Sequence, residues 1–291
     1  MPSLTIKETK SLAVIRMAIT DTQIKQKSCK EIKILTIFLT KDKTTFVKEN
    51  FESVKNQERV RQDIYTVSAK HIFDGKNNLV VDVPKDLPTP LRIAISIRTI
   101  LKKINITSYT HIFKVDGDIK LPLDYLINIL KKRVCIAGTG PALLISVPFF
   151  LEMLKEYPLN YCDDGYILSF GASVLGALPP SYDGAGIIEI LPNPVSKKIE
   201  YFYGVEYYKF GLPLKILLLN RLLFALSNPL EGLKSITYCL AGYVSTVIKK
   251  EKRYKWWKHY SKVATSVSSW KSYISSGRRT RSLKRWRRKL K

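Results

Sequence analysis

Apolar residues fall along this chain in two alternating rhythms. Ile32-Lys33-Ile34-Leu35-Thr36-Ile37-Phe38-Leu39 is a short, nearly continuous apolar run rich in β-branched side chains. That pattern predicts a buried strand of a parallel sheet. The polar loop Thr40-Lys41-Asp42-Lys43-Thr44 follows, and Phe46, Phe51 and Val54 then recur at helical spacing, which predicts a helix over 45–57. Strand, polar loop and helix open a βαβ unit. Ile64 to Ser68 predicts a second strand, Asp74 to Asn78 a turn, and Leu79 to Val83 a third strand. Pro84, Pro88 and Pro90 enforce a loop, and Pro90 suits the first turn of a helix running to about Ile104, whose Ile93, Ile97, Ile100, Leu101 and Ile104 share one face.

Thr110 to Val115 predicts a strand that ends in Asp116-Gly117-Asp118. A helix over 123–132, strand character at 134–137, a turn at 138–141, strand character again at 142–145 and a helix over 148–156 follow. Residues 1–30 are polar and mixed, with a short strand expected at 11–19. Strands alternating with helices predict an α/β fold with a mainly parallel sheet and helices on both faces. Ligands of such sheets bind beyond the carboxyl ends of the strands, where Asp116 lies.

The last third changes character. Tyr201, Tyr203, Tyr207 and Tyr208 crowd one stretch, and two apolar helical stretches, 212–226 and 229–248, are separated by Ser227-Asn228-Pro229. Lys215 and Arg221 interrupt the first, Glu231 and Lys234 the second, so neither reads as a membrane-spanning helix. The first is either a core helix or an amphipathic helix in a membrane interface, with Lys215 and Arg221 at head-group level.

Charge sharpens that choice. From Lys249 to Lys291 there are 17 Lys/Arg against Glu251 alone, so this end holds +16 of the chain's net +25. Trp256, Trp257, Trp270 and Trp286 are interleaved with the basic residues. An anionic membrane surface suits clustered Lys/Arg with interfacial Trp. A nucleic acid would use the same residue types and is the lesser candidate. The rest of the composition, 45% hydrophobic and 25% charged, is that of a globular protein. Cys29, Cys135, Cys162 and Cys239 form no CxxC pair and have three histidines to assist them, which argues against zinc. With Lys7, Glu8 and Lys10 ahead of any apolar run, no signal peptide is read, and reduced thiols in a cytoplasmic compartment are expected.

Two acidic motifs carry the chemistry. Carboxylates at i and i+2 with a flexible glycine between them can converge on one cation, and Mg2+ or Mn2+ held this way keeps sites for phosphate oxygens. Asp116 and Asp118 therefore read as a metal site for a diphosphate. Downstream, Tyr161-Cys162-Asp163-Asp164-Gly165-Tyr166 offers a second pair. One of its members caps a helix in the simplest reading, and one can serve as general base. Gly138-Thr139-Gly140 lacks the spacing of a phosphate-binding glycine loop and reads as a turn. His111, alone in a strand, reads as structural.

In this order the segments resemble a family 2 glycosyltransferase of the GT-A fold. Ile34 to Thr40 with helix 45–57, ending Ser53-Val54-Lys55-Asn56-Gln57, resembles that family's opening strand, nucleotide loop and following helix. Phe113 to Leu126 resembles its metal segment, Cys135 to Phe150 its next strand and acceptor-side loop, and Asp163-Asp164 its Glu-Asp pair. The similarity covers roughly residues 32–176 and implies a mixed, mainly parallel sheet flanked by helices. It implies a transferase domain over 31–211 after an N-terminal segment 1–30, followed by an apolar helical region 212–248 and a basic tail 249–291.

The resemblance further implies that Asp116 and Asp118 hold the metal, that Asp116 also meets the donor's ribose, and that Thr40 touches the nucleotide. Asp164, beside Asp163, would be the base. Arg92 and Arg98 both stand where the family has an arginine for the phosphates. Two departures stand out: Val67-Ser68-Ala69-Lys70 lacks the family's Asp for base or ribose, and Asp163 replaces Glu. The implied activity is metal-dependent, inverting transfer from a nucleotide-diphospho-sugar to an acceptor hydroxyl; the C-terminal region adds the expectation of a glycan or lipid-linked acceptor and a peripheral position at the inner membrane face. The alternatives are a sugar-nucleotide nucleotidyltransferase, disfavoured because the loop after the first strand has no glycine, and a nucleic-acid-binding protein using the basic tail.

Overall fold

A computed structural model describes residues 32–75, 77–156, 164–182, 188–189 and 195–266. The strand expected at 11–19, together with Cys29, Cys162, Asp163, Trp270 and Trp286, lies outside the described residues. The chain divides into two compact units, Met1–Gly171 with Pro179–Asn193, and Ala172–Leu178 with Pro194–Lys291.

The first unit is a mixed α/β structure built on a six-stranded sheet flanked by helices. Its strands are β1 (Lys33–Leu39), β2 (Arg61–Ser68), β3 (Asn78–Val80), β4 (His111–Asp116), β6 (Ile136–Thr139) and β7 (Ala142–Ser146), in the order β3-β2-β1-β4-β7-β6. A separate two-stranded ribbon pairs β5 (Ile119–Lys120) with β8 (Ile188–Glu189). Five consecutive residues of β1 are buried, which requires cover on both faces and explains the continuous apolar run.

β1, β2, β3 and β4 are parallel neighbours, whereas β7 runs antiparallel to both β4 and β6. The antiparallel pair follows from its connection. Gly140-Pro141 is a two-residue turn, and a turn that short can only reverse the chain. The chain runs outward from β1 to β3 and returns to β4 on the other side of β1, so the strand order reverses between β1 and β4. Their carboxyl ends flank the crevice where sheets of this kind bind ligands.

Helix α1 (Lys48–Lys55) is shorter than the pattern over 45–57 implied. The residues ahead of it fold instead around Asp42, whose Oδ1 accepts from the Thr44 and Thr45 amides. The unit continues with α2 (Thr89–Lys103), α3 (Tyr125–Leu130), α4 (Val147–Glu156) and α5 (Asp164–Leu175), the last of which runs into the second unit's segment. Ile34, Phe38, Val54, Phe113, Val115, Tyr125, Leu126 and Ile129 form one buried core between the sheet, α1 and α3.

The second unit is helical, with α6 (Lys197–Phe210), α7 (Leu214–Ser227), α8 (Pro229–Ile248) and α9 (Trp257–Thr265). Its core joins Leu212, Ile216, Leu217, Cys239 and Tyr243. The first part of the basic run belongs to this packing: Tyr254 and Trp256 are buried, stacked on each other and on Phe210. No helix among the described residues is long and apolar enough to cross a membrane.

Candidate active site

The acidic loop after β4 is held by the opening strand and the helix that follows it. The Gly117 amide donates to the Leu39 carbonyl at 2.7 Å, and a Cβ on Gly117 would stand 2.8 Å from that oxygen and 3.0 Å from the Thr40 Cβ. Only glycine permits this approach, which sets Thr40 directly against the Asp116-Gly117-Asp118 turn. The Asp116 amide donates to Pro141 O at 2.8 Å, so the β6–β7 turn closes the other side. Thr40 Oγ1 in turn meets Thr45 Oγ1 at 3.2 Å, ordering the polar loop beside it.

Three buried polar side chains from α1 and its end secure the next residues. Asn50 Nδ2 donates to Gly117 O at 2.9 Å. Ser53 Oγ accepts from the Leu121 amide at 3.1 Å. Gln57 donates through Nε2 to Pro122 O at 2.8 Å and accepts the Leu126 amide through Oε1, also at 2.8 Å. Ser53 and Gln57 are the buried polar members of the segment that carried the resemblance. Their role is to clamp the backbone on which the acidic turn sits.

The centre of the site is a residue the sequence reading passed over. Lys114 lies two positions before Asp116 on β4, so both side chains leave the strand on one face. Its side chain is 1% exposed, and Nζ lies 2.6 Å from Asp116 Oδ1 and 2.7 Å from Asp164 Oδ2. It also donates to Gly140 O at 2.9 Å. One buried ammonium thus joins the two acidic motifs, fifty residues apart between Lys114 and Asp164. The one signal in the sequence was a lysine at i−2 from a strand-end aspartate, since lysine is almost never fully buried unless paired.

Electrostatics follow from that geometry. Burial pushes the Asp164 carboxyl up to about 6, against the downward pull of Lys114 and with the upward push of Asp116. Burial alone would lower Lys114, but Asp116 and Asp164 together hold it firmly protonated. Burial and then the neighbouring Asp116 charge raise the Asp118 carboxyl. Asp164 Oδ1 is covered and has no hydrogen-bond partner.

With its carboxylates ionised, the group Asp116, Asp118, Asp164 and Lys114 carries a formal −2. An oxygen-donor set with surplus negative charge fits Mg2+ or Mn2+ held by Asp116 and Asp118. Among the described residues no three His, Cys, Asp or Glu converge on one point, so further ligands would be water and phosphate oxygens.

The structure therefore sets Thr40 against the Asp116-Gly117-Asp118 turn and joins Asp116 to Asp164 through Lys114. Asp164 opens α5, yet its carboxylate is turned to Lys114. Arg92 and Arg98 both lie on α2, six residues and so about 120° apart around the helix, which lets at most one face a given ligand. His111 meets Thr110 Oγ1 at 3.0 Å, and burial lowers its pKa to about 4, as suits a neutral structural residue. Cys135 and Cys239 are buried free thiols.

No family model matches the chain, and no curated protein matches it in sequence. Among solved structures, the chain is similar to the mannosyltransferase PcManGT from Pyrobaculum calidifontis, in complex with GDP-Man and Mn2+. The TM-score is 0.47 at 12% identity, with 86% of this chain and 98% of that chain covered.

Proposed function

We propose that the protein is a metal-dependent, inverting glycosyltransferase that moves a sugar from a nucleotide-diphospho-sugar to an acceptor hydroxyl. The observation that carries this reading is the meeting of Asp116-Gly117-Asp118 and Asp164 around Lys114, beside the reversal in strand order between β1 and β4.

In this reading Asp164 accepts the proton of the acceptor hydroxyl as its oxygen bonds to the anomeric carbon. The bond from that carbon to the diphosphate oxygen breaks, its electron pair leaves with the nucleoside diphosphate, and the anomeric configuration inverts. A carboxylate lifted to about 6 is better matched to this task near neutral pH than an ordinary one. Lys114 holds the carboxylate in place through Oδ2, and Oδ1, covered and without a hydrogen-bond partner, would take the proton once the acceptor displaces its cover. Asp116 and Asp118 would hold Mg2+ or Mn2+, which supplies Lewis-acid neutralisation of the leaving diphosphate. Thr40 and one of Arg92 or Arg98 would contact the nucleotide and phosphates. Asp163, next to the base, is assigned to the same acidic pair. The acceptor is a glycan or a lipid-linked sugar, and we place the enzyme in the cytoplasm, peripheral at the inner membrane face.

A screen of nucleotide-sugars for metal-dependent thermal stabilisation identifies the donor, because a ligand that binds the folded state raises Tm by mass action. With that donor, Asp164→Asn is expected to lower kcat by about 10²–10⁴ while donor binding is kept, the usual worth of a general base. Asp118→Asn is expected to abolish the metal-dependent rise in Tm. Turnover surviving in both variants would remove the assignment.

A further inference from the structure

Helix α8 buries a small and polar side and turns an apolar one outward. The residues α8 buries are Gly232, Ser235, Cys239, Gly242, Tyr243 and Thr246, mostly small or polar. Its outward side shows Leu230, Leu233, Val244, Val247 and Ile248, with Leu230 79% and Ile248 73% exposed. With Thr237 and Ala241, also exposed, these positions recur at three- and four-residue steps and make one stripe along the helix, crossed by Lys234, which is exposed on the same side and pairs with Glu231 at 2.8 Å. The last turns of α7 continue it: Leu222, Leu223 and Leu226 are exposed, Leu226 at 80%, and Gly232 packs on Ala225 where the two helices meet.

The polar groups at the contact between these helices are paired with one another, while Lys215, Lys234 and Thr237 stay exposed. Arg221 Nη1 lies 3.0 Å from Glu200 Oε2 and 2.9 Å from Ser235 Oγ, and Ser235 donates to Glu200 at 2.9 Å. Arg221 is therefore not at the surface, contrary to the expectation of a head-group contact. α6 and α8 meet through glycine, since a Cβ on Gly204 would fall 1.9 Å from Cys239 O and one on Gly242 2.1 Å from Tyr201 O. Small residues and interhelical polar bonds at the contact, with leucines outside, is how helices pack when their surroundings are apolar.

Charge names the surroundings. The outward stripe ends at Ile248, and Lys249, Lys250, Lys252, Arg253 and Lys255 follow at once. The single acid there, Glu251, is matched by Lys209 at 3.2 Å. A second copy of the chain would bring the same positive charge to the contact and be repelled. An anionic bilayer answers both the leucines and the lysines.

We propose that the outward face of α7 and α8 is a membrane-docking surface that lies in the plane of an anionic bilayer. Leu226, Leu230, Leu233 and Ile248 enter the acyl boundary, and Lys249, Lys250, Lys252 and Lys255 bind phosphate-bearing head groups. This deepens the membrane-peripheral part of the proposed function and does not depend on the sugar chemistry.

Flotation of the full chain with vesicles tests it, using phosphatidylcholine with and without phosphatidylglycerol. The wild-type chain floats with the anionic vesicles. The triple variant Leu226→Gln, Leu230→Gln, Leu233→Gln loses at least about tenfold in partitioning with unchanged far-UV circular dichroism. Should that variant misfold, Val247→Gln with Ile248→Gln, at the other end of the stripe, gives the same readout. Flotation of the folded variants equal to wild type would show that charge alone binds and overturn the proposal. So would a wild-type dimer that the leucine variant splits with vesicle binding unchanged, or capture of the wild type by nucleic acid in preference to anionic vesicles. Transfer to a water-soluble acceptor, measured in the same variants, stays at the wild-type rate and reports on the sugar-transfer reading separately.

Discussion

A lysine buried to 1% on a strand is tolerable only because two carboxylates and a carbonyl surround its ammonium. Removing it leaves Asp116 and Asp164 unpaired. Lys114→Met is expected to destabilise the fold by about 3–5 kcal/mol, the usual cost of breaking a buried pair from one side. The same change should move the acid limb of the pH–rate profile. Asp164 acts as base only when ionised, so kcat/KM falls as pH drops through about 6 in the wild-type enzyme. Lys114 pulls that carboxyl down, so without it the limb moves to higher pH. A limb that stays put in Lys114→Met, or moves to lower pH, would show that another group titrates. At this scale the sequence was half legible. Asp116, Asp118 and Asp164 could be picked from their motifs, but the cation joining them required knowing that positions 114 and 116 share a strand face, and that fifty residues of chain fold back on them. Asn50 was illegible for a similar reason: a polar residue inside a helix announces nothing until its partner, Gly117 O, is beside it.

Among elements, the opening helix acts more as a clamp than as a wall. Its side chains, with Gln57 just beyond its end, make hydrogen bonds to the backbone at Gly117, Leu121, Pro122 and Leu126, four places over one stretch that includes the acidic turn. Gln57→Ala would strip the buried Leu126 amide of its partner, while the Pro122 carbonyl keeps only the Tyr125 amide. An unmet buried hydrogen bond costs about 1–3 kcal/mol, so a loss of about 2 kcal/mol in denaturant unfolding is expected, with weaker donor binding as the turn loosens. Unchanged stability would mean that water replaces the side chain. β1, β2, α2 and β4 were readable because their apolar periodicity is set by burial alone. Helix ends were less so, since Asp42 and Thr45 hold the residues before α1 by side-chain bonds that compete with a helical turn. The faces of α7 and α8 were not readable at all, because hydrophobic content does not say which side of a helix is covered.

Across the whole molecule, charge and apolar surface divide the labour of binding, and ionic strength separates them. Attraction between lysines and anionic head groups is screened over a Debye length of about 10 Å at 0.1 M salt, whereas the transfer of leucines into acyl chains is not. The place to cut is set by the core: removing everything from Lys249 would take away Tyr254, whose hydroxyl donates to the buried Glu206 at 2.7 Å, and Trp256 with it. Ending the chain after Ser266 keeps both and still removes ten Lys/Arg and no acid, which lowers the net charge to +15. The shortened chain is expected to bind anionic vesicles more weakly at low salt and to lose less of its binding as salt rises, so the two forms converge at high ionic strength. The remaining affinity is that of the apolar face with the seven Lys/Arg from Lys249 to Lys262. If the shortened chain stays folded but shows no vesicle binding even at low salt, the leucines of α7 and α8 do not reach the bilayer, and their exposure needs another occupant.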